Sequence, residues 1–130
     1  MDYGSGVSME ETSVNVGETP ILIRKGEEGR VVSRPGRLYR LLVESRGMKV
    51  TTAELDPHSE SKWFQHDGEE VHIVLEGELE YTVGETVYNL KEGDILWHKS
   101  TSKHKAKNPG DKKVVYITIG TPPTFQESMI

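Results

Sequence analysis

The sequence of 130 residues contains no cysteine, and its apolar runs are all short. The lack of cysteine excludes both disulfides and thiolate metal ligands. The apolar runs fall far short of the ~20 residues that a membrane-spanning helix needs, so no membrane partner is expected. Residues 1–19 are rich in Gly, Ser and Glu and have neither the basic nor the apolar segment of a signal peptide. They are predicted to form a flexible tail, and the expected location is the cytoplasm.

The charge balance argues against a nucleic-acid partner. The chain has 16 Lys and Arg against 21 Asp and Glu, a formal net charge of −5, whereas binding to a phosphate backbone relies on clustered cations. One dense basic run, residues 103–107, alternates its lysines with His104 and Ala106. If His104 faces inward, the lysines face water. The run is therefore interpreted as a solvated outer face.

Short extended segments rich in Val, Ile, Thr and Tyr, separated by Gly and Pro turns, follow the tail. No stretch of helical length sustains an apolar repeat of 3.6 residues. The predicted strands are 21–23, 31–32, 38–43, 48–55, 71–75, 79–83, 86–90, 95–98, 104–106 and 114–119. The expected fold is a single all-β domain over residues 20–130, closed as a barrel or a pair of sheets.

Two histidines and one glutamate are spaced so that they can meet on two of these strands. His66 and Glu70 lie at the start of one predicted strand, and His104 opens another. Two imidazoles and one carboxylate can hold a divalent metal on one face and leave the other face open. His66, Glu70 and His104 are therefore candidate metal ligands. The alternative is a polar barrel mouth whose side chains are satisfied by water or by one another.

Three further residues are candidates for a ligand pocket, two of them because of side-chain alternation along the strands. Residues i and i+2 share a face, so His72 should project into the barrel beside Glu70. It is either a hydrogen-bonded core histidine or a group that supports a metal or binds a ligand. His98 lies on a strand with apolar residues on both faces, so its orientation is open. Phe64 flanks His66 and is expected to belong to the apolar wall of the pocket.

These residues resemble the two sequence motifs of the cupin superfamily. The first runs His-x-His, three or four residues, Glu, six residues, Gly; it is similar to residues 64–77, with Phe64 in place of the first histidine. The second, over residues 93–108, has Lys99 and Thr101 in place of a proline and a glycine. The resemblance implies a double-stranded β-helix, or jelly-roll, cupin barrel and three metal ligands: His66, Glu70 and His104.

Residues 31–125 are also similar to the effector domains of helix-turn-helix regulators of the cupin 2 type. A tail of 19 residues is too short for the DNA-binding part, so the chain alone should not bind DNA. One function hypothesis is a cupin that binds a divalent metal (Fe, Mn, Ni or Zn) and a small polar ligand, with oxygenase or isomerase chemistry if it is an enzyme. The other is a metal-free small-molecule sensor or binding module. No catalytic residue is assigned.

A homodimer is expected, because one face of the predicted sheet carries apolar residues that need cover. Those residues, taken to face away from the pocket, are Val71, Ile73, Leu79, Tyr81 and Val83. A second sheet or N-terminal strands could cover them, but the cupin resemblance implies cover by a second copy of the chain, which would also remove an exposed sheet edge.

Overall fold

Two β-sheets build the fold, and both contribute side chains to one core. The computed structural model describes residues 14–15, 19–27, 29–123 and 130. The strands are β1 (Val14–Asn15), β2 (Arg30–Arg34), β3 (Arg37–Ser45), β4 (Lys49–Leu55), β5 (Glu69–Glu76), β6 (Leu79–Val83), β7 (Thr86–Leu90), β8 (Ile95–Lys99), β9 (His104–Lys107) and β10 (Val114–Thr121). None of the described residues is helical, which confirms the all-β prediction. The described part of the chain accordingly has no helix that could cross a membrane.

The larger sheet has seven strands and carries most of the inward-facing polar residues. Its order is β1-β3-β4-β10-β5-β8, with β2 paired to β3, and all its pairs are antiparallel except β1 with β3. The smaller sheet has the order β7-β6-β9. Strand β5 lies between β10 and β8, so its inward side chains have a neighbouring strand on each side.

Strict alternation of burial brings the two sheets together. Strand β4 alternates buried and half-buried residues along its whole length, and β10 does the same. The buried apolar positions of both sheets form one cluster: Val32, Tyr39, Leu41, Ala53, Leu55, Val74, Leu79, Tyr81, Leu90, Ala106, Val114 and Tyr116. Full burial of a large apolar side chain contributes roughly 1.5–3 kcal/mol, so this shared core holds the sheets against each other.

Every predicted strand except one is present. Residues 21–23 lie outside any strand, and Ile21 and Leu22 are exposed. A short β-branched and apolar run favours a strand only where a neighbouring strand completes the ladder. The predicted tail over residues 1–19 lies largely outside the described residues. Within it, Val14–Asn15 pairs with the end of β3.

The prediction from the sequence placed three residues of β6 on the wrong face of the sheet. Leu79 and Tyr81 were expected to face away from the pocket with Val83, yet both are buried in the core and Val83 packs against it. The reason lies in the pairing with β9, where Tyr81 is opposite Ala106 and Val83 is opposite His104. Residues directly opposite on an antiparallel pair share a face. Since His104 points inward, the odd-numbered residues of β6 must do so too.

A glycine turn immediately before β5 fixes where that strand begins. Gly68 has φ +98°, and a Cβ built on it would lie 2.2 Å from the Thr121 carbonyl oxygen and 2.7 Å from Pro122 Cδ. The Gly68 carbonyl accepts a hydrogen bond of 2.8 Å from the Ser100 N–H. Close backbone approach at this point holds β5 against the end of β10 and the residue that follows β8.

Replacing Gly68 by Ala should therefore destabilise the fold far more than replacing a glycine that also has a positive φ but has open space around it. Gly84 (φ +61°) provides that comparison, because a Cβ added to it would have no other atom within 4 Å. Gly84→Ala should lower the free energy of unfolding by about 1–2 kcal/mol, the cost of a left-handed backbone. Gly68→Ala should add roughly 1–3 kcal/mol for the clash. Urea denaturation measures both, and equal losses would contradict the close packing at Gly68.

Candidate metal centre

Strand register and one local bridge bring the polar residues of the barrel to a common point. Glu70 on β5 lies directly opposite His98 on β8. The segment before β5 pairs with the start of β9, where the Phe64 N–H donates to the His104 carbonyl and the His104 N–H donates to the Phe64 carbonyl, each at 2.8 Å. The His66 N–H donates to the Ser100 carbonyl at 3.0 Å. These main-chain bonds hold the functional side chains on one rigid frame.

Glu70 lies at the centre, surrounded by four histidine Nε2 atoms. Its side chain is only 3% exposed. The distances from its two carboxylate oxygens are 3.2 Å to His104 Nε2 and 3.5 Å each to His66, His72 and His98 Nε2. Two sets of three ligand-type residues result, which share Glu70. The outer set is His66, Glu70 and His104; the inner set is Glu70, His72 and His98.

The other ring nitrogen, Nδ1, of each of these four histidines lies within hydrogen-bonding distance of an oxygen. Three Nδ1 atoms lie against main-chain carbonyl oxygens: His66 at Asp67 (2.9 Å), His98 at Lys99 (2.8 Å) and His104 at Ser102 (2.8 Å). A carbonyl oxygen can only accept, so each of these Nδ1 atoms carries the proton and donates it. In the neutral ring, Nε2 then has a lone pair directed toward the carboxylate. His72 Nδ1 lies 2.8 Å from Thr118 Oγ1, a hydroxyl that can also accept.

The electrostatics of the cluster follow from burial and from these contacts. Burial raises the pKa of Glu70, but the contacts with the four histidines outweigh burial and hold that pKa well below its usual value. The contact with Glu70 raises the pKa of His66 against the opposing effect of burial. Burial lowers the pKa of His72, although Glu70 opposes that effect. Glu70 is thus an ionised carboxylate that is shielded from water, so it requires a positive charge next to it.

The residues present fit a divalent metal ion. His104 Nε2 is buried, and among the described residues it has no hydrogen bond of acceptable geometry, although it faces Glu70 Oε1. Ligand atoms about 2.1 Å from a shared ion in tetrahedral or octahedral coordination lie about 3.0–3.4 Å from one another. The observed separations from Glu70 are close to that range. Histidines whose Nδ1 donates to a carbonyl oxygen are also typical of metal ligands, because that bond fixes the tautomer and the ring orientation.

The candidates proposed from the sequence all lie in or beside this cluster. His66, Glu70 and His104 come together as the spacing predicted. His72 shares the inward face with Glu70, and His98, whose orientation was open, points inward as well. Phe64 is buried beside His104, with ring centroids 5.9 Å apart. The run at residues 103–107 has His104 and Ala106 buried and its lysines more exposed, as expected.

Sequence reasoning missed the groups that enclose the cluster. The ring of Tyr81 packs against His72 at a tilt of 30° with ring centroids 4.2 Å apart, and the ring of Tyr116 meets His72 edge-on at 6.1 Å. Thr118 supplies the hydroxyl at His72 Nδ1. Alternation along β10 could have indicated two of these groups, because Tyr116 and Thr118 share a face of that strand, which is a neighbour of β5. That signal requires the pairing of β10 with β5, which the sequence does not give.

The described residues leave little free space in the barrel beside the cluster. The cavity beside Glu70, His72 and Phe64 measures about 10 Å³, room for about one water molecule. A much wider surface depression of about 1000 Å³ lies beyond the other end of β5, lined by charged residues and including none of the histidines. The interior is therefore suited to an ion and a very small ligand rather than to a bulky organic molecule.

Comparison with known proteins adds a family and a fold. A profile of the Cupin_2 family, described as a cupin domain, matches residues 51–120, more than half of the chain. A protein of Archaeoglobus fulgidus, described as uncharacterized, is 39% identical over 64 residues. That match covers 49% of this chain and spans only 60% of the relative's length.

Two solved structures show the same architecture. An RmlC-like cupin from Shewanella frigidimarina superposes with a TM-score of 0.70 at 19% identity, covering 81% of this chain and 94% of that one. The Cupin_2 domain of an XRE family transcriptional regulator from Enterobacter cloacae superposes with a TM-score of 0.64 at 17% identity, covering 68% of this chain and 98% of that domain. At these identities the likeness shows the fold alone.

The hydrogen bond between His72 and Thr118 should make a measurable contribution to stability in protein that has been dialysed free of metal. Thr118→Val removes the hydroxyl from a buried ring nitrogen and should lower the free energy of unfolding by about 1–3 kcal/mol. Thr52→Val on the outward face of β4 is the matched control and should change it by no more than about 0.5 kcal/mol. Thermal or urea unfolding checks both, and a Thr118→Val protein as stable as the Thr52→Val protein would show that the hydroxyl is not needed.

Proposed function

The chain belongs to the Cupin_2 family of cupin domains, and from that membership we propose that it holds a divalent metal ion through His66, Glu70 and His104 and binds a small polar ligand at the ion. The observation that carries the proposal is the geometry around Glu70, where histidine Nε2 atoms surround a buried carboxylate at 3.2–3.5 Å. Imidazole and carboxylate together suit Fe, Mn, Ni and Zn, the metals expected from the ligand types.

Phe64 leaves room for a ligand at the proposed ion. Its ring stands where the cupin motif has its first histidine, so this chain offers one protein ligand fewer. His66 lies at the barrel mouth, where its side chain is 10% exposed, whereas the side chains of Glu70 and His104 are 3% and 1% exposed. The open coordination position is therefore expected on the side of Phe64 and His66. The apolar ring there would exclude bulk water from the ligand.

A bound divalent ion would supply Lewis-acid or O₂-activating chemistry, which supports an oxygenase or an isomerase as the enzymatic form of the proposal. The chain's own contribution is to hold the histidine tautomers through their Nδ1 donors and to keep the site dry. Tyr39, Tyr81 and Tyr116 also line the interior, but burial raises the pKa of each hydroxyl, so none of them is poised to act as a base. We therefore assign no catalytic residue.

The second hypothesis, a metal-free sensor or binding module, has weaker support. Its basis is the fold shared with the regulator domain from Enterobacter cloacae. Against it stands the interior cavity of about 10 Å³, which is too small for a drug-sized ligand without rearrangement. An anionic Glu70 surrounded by imidazole lone pairs also calls for a cation rather than for an apolar guest.

Glu70 supplies the only anionic group of the proposed site, so its neutralisation should weaken metal binding. Glu70→Gln is expected to lower the affinity for Zn²⁺ by at least tenfold, equivalent to about 1.4 kcal/mol. Isothermal titration of metal-free protein with Zn²⁺ measures the change.

Two variants control for this result. Glu69→Gln removes an adjacent but exposed carboxylate, which accepts a hydrogen bond from Trp97 Nε1 at 2.8 Å, and should leave the affinity within about twofold. Phe64→Ala leaves the ligand set intact and should change the affinity far less than Glu70→Gln. If Glu70→Gln bound Zn²⁺ as tightly as Glu69→Gln does, the proposed centre would be wrong.

We also propose that the chain forms a homodimer through the outer face of the larger sheet. Register places Ile117 beside Ile73 and Ile119 beside Val71, while Ile73 and Val71 face Ile95 and Trp97 on the edge strand β8. Ile95 and Trp97 are 65% and 53% exposed. The patch is apolar and is bordered by Glu69 and Lys99, which lie opposite each other on β5 and β8 and carry charges of opposite sign. An isologous contact would cover both the patch and the β8 edge.

Sedimentation at micromolar concentration should give about twice the chain mass of 14.6 kDa. Ile95→Lys places a charge in the proposed contact and is expected to shift the protein toward monomer. Val87→Lys, at a residue of β7 that is 49% exposed, should leave the dimer intact. A wild-type protein that stays monomeric at all concentrations tested would contradict the dimer.

A further inference from the structure

The inner set of residues, Glu70, His72 and His98, has the composition of a metal site in its own right. All three side chains are nearly fully buried. His72 Nε2 and His98 Nε2 lie 2.9 Å apart, and each is 3.5 Å from the same oxygen of Glu70. These separations are close to the ~3.0–3.4 Å expected between adjacent ligands of one ion with bonds of about 2.1 Å.

The anchoring of the two rings supports a metal rather than a simple hydrogen bond between them. His98 Nδ1 donates to the Lys99 carbonyl, so the Nε2 of neutral His98 presents a lone pair. His72 could donate from Nε2 to that lone pair, but the lone pair of His98 would still lie 3.5 Å from the anionic oxygen of Glu70. When His72 Nδ1 instead donates to Thr118 Oγ1, both Nε2 atoms present lone pairs, and they lie within 3.5 Å of each other and of one Glu70 oxygen. A cation among these atoms would satisfy all three.

We propose that Glu70, His72 and His98 form a second binding position for the same metal ion, one layer deeper in the barrel than the outer set. The inference rests on the proposed function in assuming that the chain binds a divalent ion. It goes beyond it in assigning ligand roles to His72 and His98, neither of which occupies a metal-binding position of the motifs in this sequence.

The two positions exclude each other. They share Glu70, the one carboxylate that the described residues contribute to either set, so two divalent ions would place four positive charges against a single carboxylate. Enzymes do hold two ions about 3.5–4 Å apart, but here one carboxylate would have to offset the repulsion between both ions. One ion per chain is therefore expected, with the inner position as its alternative when an outer ligand is lost.

The test removes the outer ligands and asks whether one ion remains. Asn in place of His preserves a polar group near Nδ1 and removes Nε2. Equilibrium dialysis against Zn²⁺ with elemental analysis should give one equivalent per chain for the wild type and for His58→Asn, whose histidine is exposed and pairs with Asp111. The double variant His66→Asn/His104→Asn should still bind one equivalent, with affinity reduced at least tenfold. Adding either His72→Asn or His98→Asn should abolish that binding.

The outcomes separate this inference from the proposed outer site. Complete loss of Zn²⁺ in the folded His66→Asn/His104→Asn variant would overturn the inner position and leave the outer one standing. Wild-type affinity in that variant, together with loss in His98→Asn alone, would support the inner position and reject the outer one. A wild type that binds no Zn²⁺ would reject both. Circular dichroism checks folding, and the single variants His66→Asn and His104→Asn replace the double variant if it does not fold.

Thr118→Val provides a milder test of the same inference. It keeps all ligands but removes the hydroxyl that directs His72, and loss of such supporting contacts usually costs about 10–100-fold in metal affinity. In the His66→Asn background, where the inner position carries the ion, Thr118→Val should lower Zn²⁺ affinity by that factor. An unchanged affinity would show that His72 is not a ligand.

Discussion

The buried carboxylate of Glu70 is the constraint on which the rest of the site depends. A carboxylate taken out of water is costly unless it is paired, and the basic side chains that the described residues bring within 4 Å of it are all histidines. Three of the four hold their Nδ1 proton at a main-chain carbonyl, so their Nε2 atoms cannot all donate to the carboxylate while neutral. A metal ion among them would satisfy the lone pairs and the carboxylate together.

The fold makes this arrangement possible because main-chain bonds, rather than flexible side chains, set the positions. Glu70 and His98 face each other across a strand pair, and His104 is fixed by two hydrogen bonds to Phe64. Aromatic packing then closes the interior, with the ring of Tyr81 against His72. A site held in this way needs little rearrangement when an ion binds, which is the usual condition for tight metal binding. The same packing leaves a cavity of about 10 Å³, which restricts the ligand to a small one.

Sequence alone predicted a large part of the fold and part of the cluster around Glu70. Turn residues and alternation located the strands other than 21–23, and the jelly-roll cupin fold expected from the motifs is confirmed. The spacing of the motifs predicted that His66 and His104 lie close to Glu70. The inward direction of His98 could not be predicted, because both faces of β8 carry apolar residues and only its pairing with β5 decides between them. Leu79 and Tyr81 were placed on the wrong side for the same reason, since alternation fixes which residues share a face but not which face is inside.

The most direct measurement is anomalous X-ray diffraction at the zinc edge from crystals of the full chain grown with Zn²⁺. We expect one anomalous peak per chain, bonded at about 2.0–2.2 Å to a carboxylate oxygen of Glu70 and to Nε2 atoms of the surrounding histidines. In wild-type crystals the peak should involve His66 and His104. A barrel with no anomalous peak near Glu70, and with the histidines hydrogen-bonded to one another or to water, would contradict the claim that this carboxylate is built to hold a metal.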